Sequence, residues 1–130
     1  MKKLFSEKFL EELFPPKKSD DFFDALYGGA ESGAFDITLA EEGLNEKTNE
    51  LYMYFLLTER PGKCMACHLT SGLPGVFERH PVIDLKGIAK KIEEILAPDW
   101  SINGWSVGST MTKGPKENMI PFILKLNKEH

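Results

Sequence analysis

The run LYMYFLL at residues 51–57 is the longest apolar stretch of the chain, and the predicted fold is built around it. Its length is that of a strand and falls far below the roughly 20 residues that a membrane-spanning helix needs. Because no charged residue interrupts it, we expect a strand that is covered on both faces. The run therefore predicts a buried central strand and no membrane partner.

The segments on either side of this run predict the rest of a sheet. Residues 35–40 alternate between apolar and polar or small side chains, which is typical of a strand with one exposed face. Residues 100–107 and 119–126 have the composition of two further strands, and Pro121 favours an edge position or a bulge. We expect residues 108–118 to form the loop between those two strands.

Helical spacing of apolar residues predicts three helices. The first covers residues 6–14, and the second has Ser19 as its N-cap and ends at Gly28. The third begins after Asp84, which is a good N-cap, and ends before Pro98.

The order of these segments, α-α-β-β-loop-α-β-β, predicts a single α+β domain over residues 1–130. In this domain an antiparallel sheet of about four strands carries the helices on one face. A chain of 130 residues is long enough to bury a core without disulfide bonds.

The charge balance limits the partners that we expect. A formal net charge of −4 argues against a nucleic-acid partner, which would require a basic face. Acidic residues such as Glu41, Glu42 and Glu93 are interpreted as solvated surface. Charged residues between positions 7 and 12 interrupt what would be the apolar part of an export signal, so we expect a cytoplasmic protein.

The stretch RPGKCMACHLTSGLPGVFERHP at residues 60–81 concentrates the reactive side chains of the chain. Its candidate functional residues are Cys64, Cys67, His68 and His80. The stretch is longer than most connections between secondary-structure elements, and ordered loops of that length tend to carry function. We therefore expect the loop at residues 60–81 to be the functional surface.

One interpretation of this loop is covalent attachment of haem. Cys64, Cys67 and His68 form a C-x-x-C-H motif, which resembles the haem-binding motif of c-type cytochromes. The resemblance implies two thioether bonds to the cysteines, with His68 as an axial ligand. It is confined to this motif, and both the expected cytoplasmic location and the ordinary composition argue against haem.

A second interpretation is a zinc-type metal site, because the spacing C-x2-C-x12-H-x3-D follows the ligand rhythm of a zinc finger. The ligands would be Cys64, Cys67, His80 and Asp84. His68 is an alternative fourth ligand. The glycines and prolines between positions 72 and 81 argue against the helix that carries the late ligands of such fingers.

A third interpretation is thiol redox chemistry. The C-x-x-C pair after an apolar strand, together with Pro121 at the start of a later strand, resembles the thioredoxin family. The resemblance implies a redox-active Cys64 and Cys67. The neighbouring Arg60, Lys63 and His68 would help to hold a thiolate. The match is limited to two short motifs. The alternative without chemistry is that both cysteines are small buried side chains under the loop.

Aromatic residues on the predicted strands suggest a further surface. Tyr52, Tyr54, Trp100 and Trp105 fill the core if both faces of the sheet are covered, and are in part exposed if one face is not. Exposure would favour a protein or small-molecule ligand, including a homo-oligomer formed through an edge strand.

The leading hypothesis is a binding or interaction module that uses the loop at residues 60–81. The runner-up is a metal-binding protein or a thiol-redox enzyme that uses Cys64 and Cys67. The sequence therefore leaves open whether the protein is an enzyme.

Overall fold

The computed structural model describes residues 2–28, 33–65 and 72–129, and its helices and strands follow one another in a simple order. They are α1 (Glu7–Leu13), α2 (Lys17–Tyr27), β1 (Phe35–Asn45), β2 (Glu50–Glu59), α3 (Leu73–Arg79), α4 (Leu85–Leu96), β3 (Trp100–Val107), β4 (Met111–Gly114) and β5 (Glu117–Lys128).

All strand pairs of the sheet are antiparallel, in the order β1-β2-β5-β3, with β4 also paired to β5. The predicted α+β class with an antiparallel sheet is confirmed. Within the described residues the sheet has five strands, so the predicted number of about four is matched only roughly. Part of the expected loop at residues 108–118 is strand β4, which continues the line of β3 along the same side of β5.

Pro121 explains why β3 and β4 are separate. It lies in β5, which is an inner strand, so the expectation of an edge position is wrong. Its carbonyl accepts a hydrogen bond from the backbone N–H of Gly108 at 2.9 Å, where pairing with β3 ends and pairing with β4 has not begun. A proline has no N–H to return, so the ladder is interrupted at this point.

Helix α3 is absent from the predicted elements, because the glycines and prolines between positions 72 and 81 argue against a helix there. Gly72 occupies the N-cap, and Pro74 lies in the first turn, where the missing N–H has no helical partner in any case. Leu73 and Phe77 are buried, so tertiary packing holds this short helix.

Ser19 also departs from its predicted role. Helix α2 begins at Lys17, three residues earlier than expected from an N-cap at Ser19, and the Ser19 side chain is buried inside the structure. By contrast, the predicted N-caps Ser6 and Asp84 are confirmed, since each side chain accepts a backbone hydrogen bond at the start of its helix.

One face of the sheet and the inner sides of the helices form a single core. In β2 the side chains of Leu51, Met53, Phe55 and Leu57 are all buried. The Phe55 ring lies at the centre of an aromatic cluster, with ring centroids 5.5 Å from Phe14, 5.3 Å from Phe77 and 5.8 Å from Phe122. Burial of these rings accounts for the docking of α1 and α3 on the sheet.

The alternate side chains of β2 point to the other face. Tyr52, Tyr54 and Leu56 are half-buried, and none of the helices among the described residues covers them. The expectation that residues 51–57 are covered on both faces is therefore wrong. Their uninterrupted apolar character reflects one buried face and one apolar face that is partly exposed.

Buried or partly buried polar side chains bind backbone groups beside both edges of the sheet. Along β1, the Ser19 hydroxyl accepts from the Ile37 N–H at 2.8 Å and donates to the Ile37 carbonyl at 3.3 Å. The buried Glu41 carboxylate binds the N-terminal segment that precedes α1. Along β3, Glu93 of α4 accepts from the Ile102 N–H at 2.7 Å. The interpretation of Glu41 and Glu93 as solvated surface is therefore wrong.

No helix in the described part of the chain is both long and apolar enough to cross a membrane.

Candidate functional site

The predicted loop begins at Arg60, whose side chain is tied to two other elements. Its guanidinium lies 2.8 Å from Asp20 of α2 and 3.0 Å from Asp36 of β1, and it lies over the Phe23 ring at 5.8 Å. Partial desolvation acts to lower the pKa of Arg60, but the hydrogen bonds to the two carboxylates outweigh it and raise the pKa above its usual value. Arg60 is therefore a structural anchor that remains charged.

Met65, five residues after Arg60, is a second point at which the loop contacts the rest of the structure. Its side chain is buried, and its backbone N–H donates to the Glu59 carboxylate at 3.2 Å. The Asn118 amide lies 3.9 Å from its sulfur. Nothing in the sequence had distinguished Met65 from the residues around it. Between these anchors, Pro61, Gly62, Lys63 and Cys64 are exposed.

Cys64 is both exposed and disulfide-bonded. Exposure contradicts the expectation that this cysteine is a small buried side chain under the loop. A disulfide is one of the two states of the redox pair that the third interpretation describes. Cys67 and His68, the other two residues of the C-x-x-C-H motif, lie outside the described residues. The haem interpretation therefore stays untested.

His80 and Asp84 organise the backbone after the loop. The Nδ1 atom of His80 accepts from the Val82 N–H at 3.1 Å, and its ring centroid lies 5.1 Å from that of Phe22. The Asp84 carboxylate accepts from the Gly87 N–H at 3.1 Å as the N-cap of α4. Each side chain thus uses one of its two potential ligand atoms in a backbone hydrogen bond.

Of the predicted zinc-type ligands Cys64, Cys67, His80 and Asp84, the structure describes all except Cys67. Within residues 2–28, 33–65 and 72–129, no three or more side chains of His, Cys, Asp or Glu form a group that could hold a metal ion. Because Cys67 is not among the described residues, the full ligand set stays a prediction.

Comparisons of the chain with protein-family models, with curated proteins and with solved structures found no match. The binding properties of this chain are therefore argued from its own side chains.

The half-exposed face of the sheet carries a continuous apolar surface across three strands. The side chains lie in register: Tyr52 beside Ile123, Tyr54 beside Pro121, and Leu56 beside Met119, which in turn pairs with Met111. We call this surface the open face and define it by Tyr52, Tyr54, Leu56, Met111, Met119, Pro121 and Ile123. All seven are partly or fully exposed, and Met111 is 53% exposed.

Charged residues border the open face. Lys113 of β4 extends over it, with its amine 3.1 Å from the Tyr54 hydroxyl and 4.4 Å from the Tyr54 ring centroid. This hydrogen bond raises the pKa of Lys113, and the charge of Glu42 acts in the same direction. On the other border, Tyr52 donates a hydrogen bond to Glu50 at 2.9 Å, which raises the pKa of Tyr52.

A cleft of about 710 Å³ adjoins the open face along β1. Leu10 and Phe14 line it from the α1 side, and Tyr54 and Leu56 line it from the sheet. Its base includes Leu39, whose backbone N–H and C=O point away from β2 by the alternation of an antiparallel ladder. The cleft therefore extends the apolar surface towards α1.

The aromatic residues named from the sequence divide between the two faces. Tyr52 and Tyr54 belong to the open face, whereas Trp105 pairs with the buried Leu124 and lies at the margin of the covered face. Sequence reasoning missed Met119 and Ile123. The signal was present, because these residues alternate with the buried Ile120, Phe122 and Leu124.

Proposed function

We propose that this chain is a protein-interaction module that binds its partner through the open face. One observation carries the proposal: seven apolar side chains from β2, β4 and β5 are contiguous on a sheet face that no described helix covers. An extended apolar surface with a polar border is the arrangement that protein interfaces use.

The shape of the surface favours a protein over a small molecule. Small ligands bind in concave sites that bury most of their surface, whereas a sheet face offers area with little enclosure. Tyrosine and methionine, which are enriched at protein interfaces, supply four of its seven residues. The adjoining cleft gives a protruding group of the partner a place to insert.

Photo-crosslinking in the native host tests this proposal. A benzophenone amino acid replaces Ile123 on the open face or, as a matched control, Lys90 on the exposed side of α4. We expect a covalent adduct of defined mass from position 123 and none from position 90. The adduct should disappear when Leu56→Lys is added. Adducts that form equally from both positions, or from neither, would refute the proposal.

The earlier placement of the binding surface in the loop at residues 60–81 stays a prediction. A benzophenone at the exposed Lys63 tests it in the same experiment. An adduct from position 63 that persists in the Leu56→Lys variant would move the interface from the open face to the loop.

Thiol-disulfide exchange at Cys64 is a second candidate function, favoured by its exposed disulfide. Exposed disulfides are more easily reduced than buried ones. In the reaction a dithiol donates two electrons and two protons, the protein disulfide becomes two thiols, and the donor becomes a disulfide. We expect reversible release of thiols on treatment with dithiothreitol and insulin reduction that is lost in Cys64→Ser. Stoichiometric zinc in protein purified without chelators would instead favour the metal site, since zinc binds thiolates.

A further inference from the structure

We propose that the cleft beside the open face binds an arginine side chain of the protein partner. This inference rests on the proposed function and specifies which group of the partner enters the cleft. The wall that α1 contributes, a buried carboxylate in the lining and the charge balance of the lining support it.

Helix α1 gives the cleft an amphipathic wall. Residues 7, 10, 11 and 14 recur at helical spacing, and all four line the cleft. Leu10 and Phe14 are buried, whereas Glu7 and Glu11 are exposed. The wall is therefore apolar in its buried part and acidic at its exposed rim.

Glu41 of β1 adds a carboxylate that lines the cleft and is only 6% exposed. Its two oxygens accept from the Leu4 and Phe5 N–H groups, which are uncharged donors. Among the described residues, no lysine or arginine forms an ion pair with it. Because buried charges in proteins are normally paired, this carboxylate favours a cationic ligand in the cleft.

The remaining charged residues of the lining are Asp36 and Lys3. Asp36 already binds Arg60 at 3.0 Å, so its charge is compensated within the chain. Lys3 is exposed, and it is the only cation among the described residues that line the cleft. Three uncompensated carboxylates against one amine leave the cleft with a net negative charge, which is complementary to a cation.

An arginine side chain suits this arrangement better than a lysine side chain. Its guanidinium is more weakly hydrated than an ammonium group, so it enters partly buried sites more readily, and its planar fork donates to carboxylates in pairs. Its methylene groups can pack on Leu10 and Phe14 while the charged end reaches the carboxylates. A cleft of about 710 Å³ has the size of sites for drug-sized ligands, so it also admits part of the segment that carries the arginine.

Butylguanidinium, which reproduces the arginine side chain, tests the inference in an NMR titration of the full chain. We expect it to shift the amide signals of Thr38 and Ala40, which line the cleft, with a dissociation constant on the order of 1 mM. Butylurea has the same shape without the charge and should bind about tenfold more weakly. Equal binding of butylurea would overturn the role of charge, and tighter binding of butylammonium would replace arginine by lysine.

Exposed charged residues of the lining locate the binding site, because their substitution leaves the core intact. The double variant Glu7→Gln and Glu11→Gln should weaken the binding of butylguanidinium about fivefold, and Lys3→Gln should strengthen it. Glu12→Gln is the matched control, since Glu12 is an exposed residue of α1 outside the lining, and it should leave the affinity unchanged. Equal affinities of the double variant and the control would overturn the site.

Crosslinking from position 123 separates this inference from the proposed function. If butylguanidinium does not bind and position 123 still gives its adduct, the arginine site is wrong and the interface on the open face stands. If butylguanidinium binds and position 123 gives no adduct, the preference of the cleft for a guanidinium group stands and the interface on the open face is wrong.

Discussion

Glu41 holds the backbone of Leu4, with a hydrogen bond of 2.7 Å between residues 37 positions apart. The second oxygen of the same carboxylate accepts from the Phe5 N–H at 2.9 Å. One buried side chain of β1 thus fixes the segment that leads into α1, and α1 in turn forms a wall of the cleft beside the open face.

Glu41→Ala should lower the free energy of unfolding by about 2 kcal/mol, because two partly buried N–H groups lose a charged acceptor. Urea unfolding followed by circular dichroism measures the change. Glu42→Ala, one residue further along, removes an exposed carboxylate and should change stability by less than about 0.5 kcal/mol. Equal effects of the two substitutions would contradict the role of Glu41.

Ser19→Ala should cost about 1–2 kcal/mol, because it leaves the Ile37 N–H buried without a partner. The Ile37 amide should also exchange with solvent faster in the variant, as measured by hydrogen exchange and NMR. Ser106→Ala changes an exposed serine of β3 and serves as the control. Unchanged protection of Ile37 would show that the Ser19 hydroxyl does not cap the β1 edge.

Gly87→Ala should fail to stabilise α4, although alanine is the better helix former. A Cβ at this position would lie 2.2 Å from an oxygen of Asp84 and would displace the N-cap. The Asp84 backbone has a positive φ of 52°, which glycine also accepts. In an Asp84→Gly background, Gly87→Ala should therefore become stabilising by about 0.5–1 kcal/mol. The same effect of Gly87→Ala in both backgrounds, measured by urea unfolding, would contradict a clash with the cap.

The Lys113 and Tyr54 contact should depend on pH in the alkaline range. The hydrogen bond to Tyr54 raises the pKa of Lys113 above 10.5, so the folded state holds this proton more tightly than the unfolded state. The contribution to stability is fully present below pH 10.5 and is lost as the pH rises through the higher pKa of the folded state. NMR titration of the Lys113 side chain measures this pKa. Tyr54→Phe should return it towards 10.5, and an unchanged value would contradict the contact.

Sequence patterns between neighbouring residues correctly predicted those parts of the fold that depend on contacts between neighbouring residues. The period of two at residues 35–40 and the caps Ser6 and Asp84 were read correctly, because each depends on neighbours within one turn or one strand. Helix α3 was missed for the opposite reason. Burial of Phe77 against Phe22 and Phe55 overrides the low helix propensity of the glycine and the proline in this helix.

The site was less predictable because its contacts join distant parts of the chain. Arg60 binds Asp20, 40 residues away, and the Glu41 contacts with the N-terminal segment are equally remote. The open face was hidden for another reason. A strand with one exposed face normally alternates between apolar and polar residues. In β2 the exposed positions carry Tyr52, Tyr54 and Leu56, so the sequence does not show which face is exposed.

The capped edges of the sheet also set a limit on assembly. Strand addition requires an unpaired strand edge. Along β1 the Ser19 hydroxyl binds the backbone of Ile37 and Lys2 pairs with Leu44, and along β3 Glu93 binds the Ile102 N–H. A strand added at either edge would first have to displace these bonds, so we expect this chain to resist growth into fibres through its sheet edges.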